Sequence, residues 1–154
     1  MAQVASVSRG FPRKKRKLTR RDSLGLIEEG LTRSAIGAFY AVYNKLGYGF
    51  VENVYVGGLV IELQRRGHRT QREVPVPVEY DGILVGTYKV DLLVDDSLVI
   101  EVKAEAGLTG IHERQLRNYL RCTKLELGLI LVFGLKPEFK RHIHTNAFKQ
   151  AKNP

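Results

Sequence analysis

Asp91, Glu101 and Lys103 have the types and spacing best suited to chemistry, and all three lie in one stretch, "KVDLLVDDSLVIEVKA", Lys89 to Ala104. Apolar residues on both sides of a polar "DDS" read as two strands joined by a tight turn. With the turn centred on Asp96, Asp91 lies opposite Glu101, Leu93 opposite Val99, and Lys89 opposite Lys103. Residues opposite one another in an antiparallel pair share a face, so two carboxylates would meet directly and repel. A proton on one of them, a bridging Lys103 or Lys89, or a cation between them relieves the repulsion. A hard divalent ion such as Mg²⁺ takes a few carboxylate oxygens and leaves other positions to water and phosphate. Lys103 follows Glu101 by two residues, on the same face and about 7 Å along the strand, placed to hold a water or a phosphate beside that ion. This set suits metal-assisted phosphodiester hydrolysis. A charge network on a solvated strand face would carry the same spacing.

The elements around the hairpin narrow the choice between these readings and leave both open. Its even positions, Val90, Leu92, Val94, Leu98, Ile100, Val102 and Ala104, are all apolar, and a one-residue slip would mix the faces. Upstream, Ala35, Ile36, Phe39, Val42, Tyr43 and Leu46 recur at helical spacing over Leu31 to Leu46. A second helix is expected from Val51 to Arg66, stopped by Gly67, with Gly57-Gly58 explained if another element packs closely there. Pro75 and Pro77 alternate with Val74, Val76 and Val78, which marks an edge strand. Asp81-Gly82 is a hairpin signal, Ile83 to Val94 a long strand with a bulge or bend at Gly86, and Leu98 to Ala104 the next strand. Thr109 is placed to cap a helix from Gly110 to Arg121, on which Glu113 and Arg117 form an i,i+4 pair. Leu127 to Phe133 reads as a buried central strand, and residues 140 to 148 add a short strand or helix. The order α-α-β-β-β-α-β predicts an α/β (α+β) domain with a mixed β-sheet flanked by helices.

The chain has 154 residues, enough for one domain with its own core. Its net charge of +9 is uneven: residues 1–22 carry +7 and the remainder +2. This divides the chain into a disordered basic arm, 1–22, and a folded domain, 23–154. Arg13, Lys14, Lys15, Arg16, Lys17, Arg20 and Arg21 of the arm are candidate contacts to a polyanion, DNA before RNA or a membrane. "PRKKRK" also has the form of a nuclear localisation signal, which would matter in a eukaryotic host; otherwise the expected location is cytoplasmic or nucleoid-associated. The single cysteine, Cys122, permits no disulfide within the chain, which fits a reducing compartment, and it reads as a small apolar filler. The longest apolar run, "LGLILVFGL", is about half a membrane span, and no apolar segment of a secretory signal follows the basic N-terminus. His142 and His144 share a side if extended, but no third ligand accompanies them.

Two further motifs flank the hairpin. "GFVENVY", Gly49 to Tyr55, has the form G-x-x-E-x-x-Y, and "QLRNY", Gln115 to Tyr119, has the form Q-x-x-x-Y. With D-x9-E-V-K, the set resembles the GxxExxY family of the PD-(D/E)XK nuclease superfamily, including the Q-x-x-x-Y element of its RecB-like members. The resemblance covers Leu31 to Phe148 and excludes the arm. It implies a restriction-endonuclease-like core and a Mg²⁺-dependent nuclease, with Mn²⁺ as a substitute ion. It also implies that Asp91, Glu101, Glu52 and the Val102 carbonyl bind metal. Lys103 would orient the attacking water, and Gln115 and Tyr119 would support the site or contact phosphate. Val90 stands where the superfamily's name has proline.

Each flanking residue also has a plainer reading. A helix dipole favours Glu52 in a first turn, and Tyr55 and Tyr119 suit a core. The competing function is a catalytically silent module on the same fold that binds nucleic acid or a protein. A body this small offers little surface for substrate recognition, so a homodimer or a protein partner is a further expectation.

Overall fold

Period-two alternation in the hairpin and helical periodicity before it both find their places in the computed structural model, which describes residues 19–146. The elements are α1 (Arg20–Leu46), α2 (Glu52–Arg65), β1 (Thr70–Tyr80), β2 (Ile83–Val94), β3 (Leu98–Lys103), α3 (Gly110–Cys122), β4 (Leu127–Phe133) and β5 (Pro137–Ile143). The five strands form one sheet in chain order, β1-β2-β3-β4-β5. β3 and β4 are parallel and every other neighbouring pair is antiparallel. A parallel pair needs a crossover, and α3 supplies it.

Helices cover both faces. The first cluster joins Phe39, Val42, Tyr55, Leu59 and Leu63 of α1 and α2 to Leu92, Ile100, Val102, Leu131 and Phe133 of the sheet. The second joins Leu116, Tyr119 and Leu120 of α3 to Val76, Val90, Val99, Ile130 and Val132. Each fully buried side chain of this kind contributes roughly 1.5–3 kcal/mol relative to exposure. β4 is buried throughout, as expected for a central strand covered on both faces. Tyr55 stacks on Phe133 with centroids 4.0 Å apart, and Phe39 meets Phe133 edge-on at 4.8 Å. Gly58 has its reason in the α1–α2 contact, because a Cβ there would lie 3.0 Å from Val42.

β1 is an edge strand, as its prolines require, and Asp81 and Gly82 both have positive φ, as a two-residue hairpin turn demands. The register shifts between Val78 and Glu79, which leaves Val85, beside Gly86, as the extra residue. α1 begins at Arg20, well before Leu31, so Arg20, Arg21 and Asp22, expected within the disordered arm, are helical. Arg13, Lys14, Lys15, Arg16 and Lys17 lie outside the described residues. Of the segment expected over 140–148 as a short strand or helix, residues 140–143 are strand, the second half of β5, and residues 147–148 lie outside the described residues.

Candidate active site

The site forms where the β2–β3 ladder ends and the β1–β2 ladder is interrupted for one residue. Leu93 pairs with Val99 and Leu92 with Ile100, the register read from the sequence, but the β2–β3 ladder ends there. Asp91 and Glu101 are the next residues on each strand, and Lys89 and Lys103 are not paired with each other. On the other side, Arg72 pairs with Leu92 and Val74 with Val90, while Glu73, which would face Asp91, has φ 50° and drops out of the ladder. A left-handed residue breaks the regular alternation. The result corrects one expectation: Leu92 packs against α1 and α2, but Val90, two residues away, packs with the α3 cluster. The apolar even face therefore ends at Leu92.

With β2 diverging, the Val102 amide donates to Asp91 Oδ2 at 2.7 Å. Asp91 is half-buried, and Glu101 is 6% exposed. Glu101 Oε1 has no hydrogen-bond partner among the described residues, an expensive condition for a buried carboxylate oxygen. Burial, reinforced by the negative charge of Asp91 and opposed by Lys103, pushes the Glu101 carboxyl up to about 8. The turn acids differ. Burial alone would raise Asp95, but hydrogen bonds from His68 at 2.6 Å and the Arg69 amide at 2.8 Å hold it below the usual carboxylate range. Asp96 pairs with Arg69 at 2.8 Å. The turn carboxylates are satisfied within the fold, and the Asp91–Glu101 pair is not.

Glu52 reaches the same region from the other face of the sheet. An open groove of about 660 Å³ is lined by Phe50, Glu52, Asn53, Val56, Asp91 and Glu105, among others. Glu52 is the first residue of α2, and the loop before it is tied down by Tyr55. The Tyr55 hydroxyl donates to the Gly47 carbonyl at 2.8 Å and accepts from the Phe50 amide at 3.2 Å. Gly49 has φ 107°, a conformation open to glycine. In G-x-x-E-x-x-Y, the glycine thus permits the turn, the tyrosine anchors it, and the glutamate faces the groove.

On the α3 side, Tyr119 is 4% exposed and its hydroxyl donates to the Lys89 carbonyl at 3.2 Å. Burial, then the charges of Glu101, Tyr88 and Asp91, push its ionisation far above the ordinary range. Gln115, one turn earlier, is half-buried and makes no hydrogen bond to a described residue. Thr109 caps α3, with His112 in the position where glutamate or glutamine completes a capping box; His112 Nδ1 accepts the Thr109 amide at 3.3 Å. His112 Nε2 lies 3.0 Å from Glu105, so α3 is tied to the groove's rim.

The structure thus joins Asp91 and Glu101 with Lys103 alongside, places Glu52 across a groove from Asp91, and sets Tyr119 behind the carboxylates. Among the described residues no group of three or more His, Cys, Asp or Glu side chains is already close enough together to hold a metal ion. His142, in β5, lies 3.3 Å from Glu113, outside hydrogen-bond geometry, and with His144 belongs to no group of three or more such side chains among the described residues. The orphaned Glu101 oxygen and its facing carboxylate fit a hard cation with open positions. Asn53, Glu105 and His112 were not legible as site residues; the only cue to Glu105 was its position two residues beyond Lys103. Cys122 is exposed at the end of α3 and fills no core.

A family model described as PD-(D/E)XK nuclease superfamily matches residues 29–142. No curated protein matches the chain. One solved structure, "Crystal structure of SSO0001", is similar with a TM-score of 0.48 at 20% identity; the match covers 79% of this chain and 61% of that one. The five-stranded mixed sheet with helices on both faces is the restriction-endonuclease-like arrangement. No helix among the described residues is long and apolar enough to cross a membrane.

Proposed function

The chain belongs to the PD-(D/E)XK nuclease superfamily, and from that premise we propose that it is a Mg²⁺-dependent nuclease acting on DNA in preference to RNA. Its motifs favour the GxxExxY family within that superfamily. The observation that carries the reading is the buried, unpartnered Glu101 oxygen beside Asp91. A buried carboxylate in that state beside a second one is costly for a fold and useful to a cation.

Asp91 and Glu101, with the Val102 carbonyl, would hold the ion, and Glu52 would approach it across the groove directly or through water. The ion, Mg²⁺ or Mn²⁺, would polarise the phosphate and lower the pKa of a water. Asp91 keeps one oxygen on the Val102 amide, which fixes its carboxylate plane and leaves the second oxygen for a ligand. Lys103 offers an ammonium on the Glu101 side of β3 that orients the attacking water and offsets charge developing on the phosphate. Tyr119 closes the back of the site, and Gln115 supplies an amide toward phosphate. Arg13, Lys14, Lys15, Arg16 and Lys17 of the basic arm, with Arg20 and Arg21 in the first turn of α1, would add salt-dependent attraction to the backbone. A second copy or a partner protein would enlarge a small substrate surface, in a reducing compartment such as the cytoplasm or nucleoid.

The test is a cleavage panel of single- and double-stranded DNA and RNA with Mg²⁺, Mn²⁺ or EDTA. Metal-dependent product is expected, with Lys103→Ala slower by roughly 100-fold or more. Absence of product on every substrate, or cleavage undiminished in both Asp91→Ala and Lys103→Ala, refutes the reading. The net charge of only +2 on residues 23–154 favours the silent binding module as the second reading; a salt-dependent gel shift without product is its signature.

A further inference from the structure

Behind Tyr119, away from the groove, lies a second cavity that the hydrolytic reading does not use. It has a volume of about 150 Å³ and is lined by Val76, Val78, Tyr88, Asn118, Tyr119 and Arg121, with Cys122 at its edge. Val76 and Val78 of β1 form an apolar wall. Tyr88 and Tyr119 meet edge-to-face, with centroids 4.4 Å apart and planes at 89°, and both present ring surface to the cavity. Tyr88 is 40% exposed and Tyr119 is held by the Lys89 carbonyl, so one ring is accessible and the other fixed. Asn118 and Arg121 are exposed and make no hydrogen bond or ion pair with other described residues.

Four properties point to one occupant. A cavity of this volume is matched to a single aromatic ring. Aromatic walls provide stacking, which every nucleobase can use. The Asn118 amide offers both a donor and an acceptor, which suits the Watson–Crick edge of a pyrimidine. Among the α3 arginines, Arg121 lines the cavity, while Arg117 pairs with Glu113 at 3.3 Å on the side that faces His142 of β5. Arg114 leans on the Gly110 carbonyl at 3.4 Å, which leaves Arg121 best placed for a phosphate. Tyr119 is a wall of this cavity, and its hydroxyl meets the carbonyl of Lys89, two residues before Asp91, so the cavity adjoins the strand that carries that carboxylate.

We propose that this cavity is a nucleobase subsite that takes one unpaired pyrimidine of the strand whose phosphate is presented to Asp91 and Glu101. It rests on the nuclease reading for its substrate and adds a preference to it: single-stranded or frayed ends, with a pyrimidine beside the scissile bond. A base paired within a duplex cannot enter without leaving its stack.

The experiment is anisotropy of labelled strands of about twelve nucleotides bound to the full chain in EDTA. Oligothymidylate is expected to bind roughly 5- to 100-fold tighter than an abasic strand of equal length, and tighter than oligodeoxyadenylate. Tyr88→Ala should bring oligothymidylate close to the abasic level, and Tyr88→Phe should keep the preference. Should Tyr88→Ala not fold, Asn118→Ala on the exposed face of α3 should flatten the thymine-over-adenine preference. Equal binding of thymidylate and abasic strands, or a preference untouched by all these substitutions, overturns the subsite. Cleavage without base preference would do the same while sparing the nuclease reading. Base preference in EDTA without cleavage under any metal would sink the nuclease reading and spare the subsite.

Discussion

Glu101→Gln should make the metal-free protein more stable while abolishing its chemistry. Glu101 is 6% exposed, and its carboxyl is raised from 4.5 to about 8 by burial and by Asp91. Between those values the folded chain holds a proton that the unfolded chain has released. The folded state is therefore favoured below pH 4.5 and loses that advantage as pH rises to about 8. A displacement of this size corresponds to a loss of roughly 3 kcal/mol by pH 7 and about 5 above pH 9. Glutamine keeps the shape of the protonated acid without the titration. In EDTA the variant should melt roughly 6–12 °C higher at pH 7, and its urea stability should lack the decline between pH 5 and 8. Adding Mg²⁺ should stabilise the wild type in proportion to ligand occupancy and leave the variant unchanged. If the two proteins lose stability in parallel across pH 5–8 in EDTA, Glu101 is not the strained group argued here.

Asp91 separates structure from chemistry by two substitutions: Asp91→Ala strands the Val102 amide and should cost about 1–3 kcal/mol in urea denaturation, whereas Asp91→Asn keeps an acceptor and should cost less. Both should lose metal-dependent cleavage. Tyr55→Phe removes the hydroxyl that holds Gly47 and Phe50, and about 0.5–1.5 kcal/mol of stability with it; calorimetry should show weaker Mg²⁺ binding as Glu52 loses its fixed approach. Gly134→Ala would place a Cβ 2.6 Å from the Glu105 carbonyl oxygen, a backbone atom that cannot swing away. It should cost about 1–3 kcal/mol and speed amide exchange over residues 105–108. Removing residues 1–18 should leave the melting temperature unchanged and flatten the dependence of DNA affinity on salt, by roughly 0.9 in log–log slope for each phosphate that the arm had neutralised.

The hairpin register was legible because period two, a polar turn and an all-apolar face admit one pairing, and Leu93↔Val99 is that pairing. What defeated the reading beyond Leu92 was Glu73, whose left-handed backbone lies on another strand and leaves no local mark on residues 89–91. α1 was cut short for a different reason. Its first turns, "RRDSLGLIEEG", are polar and contain Gly25 and Gly30, so no apolar stripe signals a helix there. The motif spacing located Glu52, Gln115 and Tyr119, but only the fold shows that Tyr55 is the anchor that aims Glu52. Tyr88 was invisible as a site residue, because its partner Tyr119 is contributed by a helix beyond the next strand.

One break in the sheet accounts for both sites. Glu73 leaves the β1–β2 ladder opposite the point where the β2–β3 ladder ends at Leu92, and beyond it Val90 packs with the α3 cluster. The parting gives Asp91 room to reach the Val102 amide and exposes its second oxygen to Glu52's groove. The same stretch of β2 carries Tyr88 onto Tyr119, which closes the cavity on the far side. A regular ladder would have paired Asp91 directly across from Glu101 and kept Val90 under α2. Such a sheet would be better satisfied in its backbone, and it would have neither an open carboxylate pair nor a ring-sized cavity beside it. Strain at Glu73 of roughly 1–3 kcal/mol accompanies an arrangement in which Tyr119 stands between the carboxylates and the cavity that it forms with Tyr88.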